Sequence, residues 1–126
     1  MTISTCLYAI LALGGAPAAG IPPVGPKLIA SSPADGAVVP SGERVLVWTF
    51  DRPMRAGWSV TGDPRAMPAW AGTPAFSADG RTFTIRMRLE PGRVYDVGVN
   101  SLSHTNFRDR AGTPAQVRRV RFSTVR

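Results

Sequence analysis

The single histidine of the chain, His104, lies among Ser101, Ser103 and Asp109. A hydroxyl, an imidazole and a carboxylate are the groups of a hydrolytic triad. Any such enzyme built on this chain must use His104, because it holds no other imidazole. Neither Ser101 nor Ser103 sits in anything resembling a nucleophile elbow, so no catalytic role is expected. The single cysteine, Cys6, lies in an apolar N-terminal run. One cysteine cannot build a disulfide scaffold, and one Cys with one His falls short of a zinc site. The candidate carboxylates are Asp51, Asp79, Asp96 and Asp109, and they form no local motif. Calcium would want several oxygen ligands close in sequence, and Asn106–Asp109 supplies only Asn106 and Asp109. Turn chemistry accounts for these Asp residues. No metal and no cofactor are expected.

Binding chemistry has more to work with. The chain of 126 residues carries 15 Lys+Arg against 8 Asp+Glu, a net charge of +7. Lys27 is the only lysine, so the excess is nearly all arginine. Arg86, Arg88, Arg119 and Arg121 alternate with inward residues on two expected strands. Set side by side, those strands would make a cationic face for anionic envelope polymers, lipid head groups or an acidic protein. Nucleic acid is disfavoured, because no aromatics interleave with the arginines for base stacking. Genome composition alone also produces a bias of Arg over Lys. A second candidate surface is the long polar loop Asn100–Asp109, with His104, Asn106 and Arg108 as its interaction residues. Trp58 and Trp70 could serve nearby as aromatic anchors. The competing reading pins the loop with Phe107 and places both tryptophans in the core, and it is favoured because aromatics dominate cores.

These groups need a frame. No charged residue precedes Lys27. Residues 1–26 read as a leader and a Pro-rich spacer. An apolar run, Cys6–Leu13, is followed by small residues, and Ala16 with Ala18 gives a cleavage pattern ending at Ala18. The apolar run is shorter than the ~20 residues a transmembrane helix needs. The n-region has no Lys or Arg, which departs from the usual leader. Export to periplasm, cell surface or medium is the expectation. Cys6 precedes the apolar run, so a lipid anchor there is not expected, and the mature chain would have no cysteine.

Residues 27–126 form the domain. Turn signals recur through it: Pro33-Ala34-Asp35-Gly36, Pro40-Ser41-Gly42, Thr61-Gly62-Asp63-Pro64, Ala78-Asp79-Gly80, Glu90-Pro91-Gly92 and Arg110-Ala111-Gly112. Thirteen Gly and twelve Pro leave little room for long helices. The intervening segments alternate with a period of two, the mark of half-buried strands. In Thr82–Leu89, Phe83, Ile85, Met87 and Leu89 face one way, and Thr82, Thr84, Arg86 and Arg88 the other. Arg44–Phe50, Arg93–Asn100 and Val117–Thr124 repeat the pattern. Leu28–Ser31, Trp58–Thr61 and Pro74–Ser77 complete about seven strands. Asp79-Gly80 predicts a tight primed hairpin turn. Leu89-Glu90-Pro91-Gly92-Arg93-Val94-Tyr95 predicts a tyrosine corner between sheets.

The ordered motifs resemble the bacterial Ig-like domains of the SbsA type. They are Ser31-Ser32-Pro33-Ala34-Asp35-Gly36, Phe50-Asp51-Arg52-Pro53-Met54, Asp79-Gly80-Arg81-Thr82, the Leu89–Tyr95 corner, Asp109-Arg110-Ala111-Gly112 and Phe122-Ser123-Thr124. The resemblance spans about residues 28–126 and departs from the family pattern in Gly57–Trp70. It implies spacer, adhesion or display modules on secreted and cell-surface proteins, with no shared catalytic residues. Leu28–Arg55 also resembles the start of CopC-like periplasmic copper proteins. Those carry an N-terminal His and further His or Met ligands, whereas Met54, Met67 and Met87 are scattered here, so copper is not expected. The expectation is a single immunoglobulin-like antiparallel β-sandwich, a non-enzymatic module for protein interaction or structural support. Its partner would be an envelope or secreted protein.

Overall fold

A computed structural model describes residues 24–126. The leader and its cleavage pattern lie outside the described residues. Nine strands are formed among the described residues: β1 (Leu28–Ser32), β2 (Val38–Val39), β3 (Gly42–Phe50), β4 (Val60–Thr61), β5 (Ala69–Trp70), β6 (Ala75–Phe76), β7 (Thr82–Leu89), β8 (Val94–Val99) and β9 (Arg118–Thr124). A 3-10 turn, Pro64–Ala66, precedes β5. The strands make two sheets, one ordered β1-β3-β7-β5 with β6 also on β7, the other β2-β9-β8-β4. Among these strands only β2 and β9 run parallel, pairing Val38 with Ser123 and Val39 with Thr124. The chain is an all-β sandwich, as expected.

Alternation sets the faces. Phe83, Ile85, Met87 and Leu89 of β7 are buried, while Arg86 and Arg88 are exposed. Leu46, Trp48 and Phe50 of β3 are fully buried. They meet Tyr95, Val97 and Val99 of β8 and Val120 and Phe122 of β9 in one core. Two strands, β2 and β5, go beyond the seven expected. Each has two residues, too few for alternation to be read.

The hairpin at Asp79-Gly80 closes differently from the expectation. Gly80 has positive φ, at 76°, but the central residues Ala78 and Asp79 do not, so the turn is not of the primed type. The Gly80 N–H donates to the Ser77 carbonyl at 2.8 Å, a type I turn followed by a left-handed glycine. The Asp79 carboxylate accepts from the Ser77 hydroxyl at 2.6 Å and the Arg81 N–H at 3.1 Å. A side chain at Gly80 would also strike the Met54 backbone, with its Cβ 3.0 Å from the Met54 carbonyl oxygen.

The tyrosine corner forms. The Glu90 N–H donates to Tyr95 Oη at 2.8 Å, where the chain crosses from β7 in one sheet to β8 in the other. The Tyr95 ring stacks on Phe122, with centroids 5.6 Å apart. Thr124 closes the same corner, its hydroxyl donating to the Glu90 carbonyl at 2.6 Å and accepting from the Arg93 N–H at 2.9 Å. Tyr95→Phe keeps the stacking and removes one hydrogen bond, so the expected loss is about 1 kcal/mol. Thermal denaturation should record a fall in Tm of about 5 °C.

Candidate functional site

The loop Asn100–Asp109 begins where β8 ends, and Asn100 anchors it. Asn100 is 1% exposed and has a φ of 56°. Asparagine tolerates this left-handed conformation better than most residues. Its Nδ2 donates to the carbonyls of Phe107 at 3.0 Å and Ala115 at 3.1 Å, and its Oδ1 accepts from the Phe107 N–H at 3.0 Å. Phe107 is fully buried, as the core-pinning reading expects. Between these anchors the chain turns on Ser101, whose N–H donates to the His104 carbonyl at 2.7 Å. The Asn106 N–H donates to the buried hydroxyl of Ser59 at 3.0 Å.

This arrangement decides how the loop residues can act. His104 and Asn106 are exposed. Arg108 is turned inward, donating to the Gly112 carbonyl at 3.0 Å and to the Thr105 hydroxyl at 2.8 Å. It braces the loop. His104 Nδ1 lies 3.1 Å from the Ser103 hydroxyl and 3.4 Å from that of Ser101. Both serines therefore crowd one ring nitrogen. Asp109, the remaining triad type, is buried elsewhere: its carboxylate accepts from the Thr113 N–H at 2.9 Å and from Arg52 at 3.3 Å. Among the described residues no hydrogen bond joins His104 to a carboxylate.

Asp51, Arg52 and Asp109 form an ionic cluster that ties the start of the domain to the loop's end. Arg52 bonds Asp51 at 3.1 Å and Asp109 at 3.3 Å, and donates to the Val24 carbonyl at 2.8 Å. Partial burial opposes ionisation of Asp51, but the Lys27 N–H and the Arg52 guanidinium outweigh it and hold the carboxyl below its ordinary 3.8. A depressed carboxyl stabilises the fold fully above its unfolded value and loses that contribution as pH falls through the folded value. Asp63 and Asp79 are lowered in the same sense, by hydrogen bonds first from the Arg65 N–H and from the Ser77 hydroxyl respectively. Tm should therefore fall on acidification below about pH 4, and Asp51→Asn should lower Tm at neutral pH while flattening this acid limb. An unchanged acid limb in the variant would show that the cluster contributes nothing.

The arginine expectation needs correction. Arg86 and Arg88 project from β7, and Arg119 and Arg121 from β9, which belong to different sheets. The core lies between the sheets, so the two pairs occupy opposite outer faces. No single cationic face results. Arg119 and Arg121 also share one counter-ion, Asp96, at 2.8 and 3.3 Å, and Arg88 pairs with Glu43 at 3.2 Å.

The tryptophans are placed differently from the favoured expectation. Trp48 is in the core, but Trp58 is 45% exposed and Trp70 is 36% exposed. Trp70 pairs with Met87 across β5 and β7, which directs its ring to the inner side of the sheet. There the sandwich stops short, because the edge strands β4 and β5 have two residues each. The gap between them is a cleft of about 440 Å³, lined by Trp58, Ser59, Val60, Thr61, Trp70, Gly72, Pro74, Ile85, His104 and Asn106. The structure thus joins His104 and Asn106 to both tryptophans. Among the described residues there is no group of three or more His, Cys, Asp or Glu able to hold a metal. No helix among them is long and apolar enough to cross a membrane.

This fold has a counterpart among solved structures. The S-layer protein rSbsC contains a similar unit, with a TM-score of 0.52, 18% identity and 81% of this chain covered. The chain is similar in fold to part of that S-layer protein. It matches 14% of the length of that neighbour. No family model matches the chain, and no curated protein matches it.

The roles of three residues escaped the reading of the sequence. Asn100 carried a weak signal, an asparagine directly after an alternating strand. Ser59 carried none. Asp96 can be assigned to Arg119 and Arg121 only once the register that sets Arg121 opposite Asp96 is known.

Proposed function

We propose that the chain is an Ig-like module of the SbsA type, part of an exported or cell-envelope protein, that serves protein interaction or structural support without catalysis. One observation carries this reading. The groups of a triad are not assembled as one: Asp109 faces Arg52 and Thr113, and the hydroxyls of Ser101 and Ser103 both lie against one nitrogen of His104. The fold likeness to an S-layer protein supports an envelope setting. The leader pattern ending at Ala18 supports export. The alternative of an anion-binding module has less support, since its four arginines are divided between two faces.

The purified chain should turn over no ester, peptide or phosphate substrate of a broad panel above the buffer rate. Turnover that disappears in His104→Ala would overturn the reading. Mass spectrometry of protein recovered from envelope and medium should find an N-terminus at Ala19, and an intact Met1 in the cytosolic fraction would overturn export.

A further inference from the structure

We infer that the Trp58–Trp70 cleft binds a neutral, linear oligosaccharide. The inference rests on the non-catalytic reading and adds a ligand class to it. Its first support is charge. The chain carries +7, with arginine on both outer faces, yet no Arg, Lys, Asp or Glu lines this cleft. A ligand fitted to such a lining carries no net charge, because a buried ion would have no partner there. The second support is the pair of indoles. Large aromatics at the open edge of a core would ordinarily be covered, and these leave over a third of their surface in water. Trp58 is held from behind by Phe83, with ring centroids 6.4 Å apart, and the strand that carries Trp70 is fixed by its pairing with Met87. The Trp58 ring is thus positioned before any ligand arrives, which lowers the entropic penalty of binding.

The third support is the mixture of groups. A pyranose ring presents apolar C–H faces and a rim of hydroxyls. The indoles and Ile85 suit the faces. The exposed Asn106 side chain and the His104 ring, whose Nδ1 is already engaged by serines, suit the hydroxyls. A volume of about 440 Å³ lies within the usual range of small-molecule sites. The groove also continues. A second cleft of about 410 Å³ shares Val60, Thr61 and His104 and runs to Arg119, which is paired with Asp96 at 2.8 Å. A linear chain of several rings fits this continuity better than a single sugar. Proline-rich peptides also dock on aromatic grooves, but they present far fewer hydroxyl partners for Asn106 and His104.

The test titrates the full chain with cellohexaose, chitohexaose and maltohexaose, followed by tryptophan emission and calorimetry. At least one should bind, with an affinity that changes by less than about twofold between 50 and 500 mM salt, since no ion pair forms. Trp58→Ala and Trp70→Ala should each weaken binding by about tenfold or more, as central aromatic anchors do. Asn106→Ala is exposed and should leave Tm unchanged while weakening binding about threefold to tenfold. The inference is overturned if none of the three sugars binds at millimolar concentration. It is equally overturned if the double tryptophan variant, shown folded by circular dichroism, binds as well as the parent. Tryptophan-dependent binding of decaproline in place of the sugars would overturn it in favour of a peptide groove. Absence of binding leaves the non-catalytic reading standing. New reducing ends, lost in His104→Ala, would support the site while overturning that reading.

Discussion

Asn100→Ala should destabilise the domain by about 3 kcal/mol or more, one of the largest effects available to a polar substitution. The side chain makes three hydrogen bonds in a fully buried setting, two to carbonyls and one from an N–H. Removing it strands the Phe107 N–H and the Ala115 carbonyl without water, while the Phe107 carbonyl keeps the Ala115 N–H at 2.8 Å. Each buried unsatisfied group costs about 1–3 kcal/mol, less whatever local relaxation recovers. Alanine also pays for the positive φ, about 1 kcal/mol. The two causes separate experimentally. Asn100→Gly accepts the backbone conformation but makes none of the bonds, so it should recover only the smaller part of the loss. If glycine restored the parent Tm, backbone strain and not hydrogen bonding would explain the residue. Hydrogen exchange supplies the local readout, with the Phe107 and Asn106 amides losing protection first. Because the loop carries His104 and Asn106 to the cleft, the same variant should distort that surface.

Phe107→Ala should cost about 3–5 kcal/mol, the range for truncating a buried phenylalanine. Phe107 is the hub of an aromatic cluster. Its ring centroid lies 5.0 Å from that of Phe83, 5.5 Å from Phe50, 5.9 Å from Trp48 and 6.4 Å from Phe76. The contacts with Phe83, Trp48 and Phe76 are edge-on, the arrangement that aromatic quadrupoles favour. Truncation leaves a void between rigid rings that cannot easily collapse, so the upper part of the range is expected. Near-ultraviolet dichroism should lose amplitude as Trp48 loses its edge contact. A change in denaturation midpoint equivalent to less than about 1 kcal/mol would show that the cluster does not act as a unit.

How much of this could be read beforehand depended on where the information sits. Thr82–Leu89 was legible because alternation, burial and charge all agree along one continuous segment. The Tyr95 corner was legible because Pro-Gly and Tyr mark it at fixed spacing. The short strands β2 and β5 were not, since two residues show no period and their pairing comes from distant partners. The cationic face failed for a related reason. Outward arginines can be counted from alternation, but which sheet each strand joins is a matter of topology. The tryptophans were misjudged because the core seemed to require them. Trp48 with four phenylalanines and Tyr95 already fills it, and the two-residue edge strands leave Trp58 and Trp70 at its mouth.

The parallel pairing of β2 with β9 has a mechanical consequence. Leu28 lies opposite Phe50 at one pole of the sandwich, while Gly92 donates to the Val125 carbonyl at the other. Tension across the domain would therefore pull β2 and β9 past one another lengthwise. Three backbone bonds, Gly36 to Arg121, Ser123 to Ala37 and Val125 to Val39, together with the Asp35 carboxylate on the Arg121 N–H, would be strained simultaneously and not peeled in turn. A module loaded in this geometry resists as a clamp, whereas a hairpin pulled open at its end yields like a zipper.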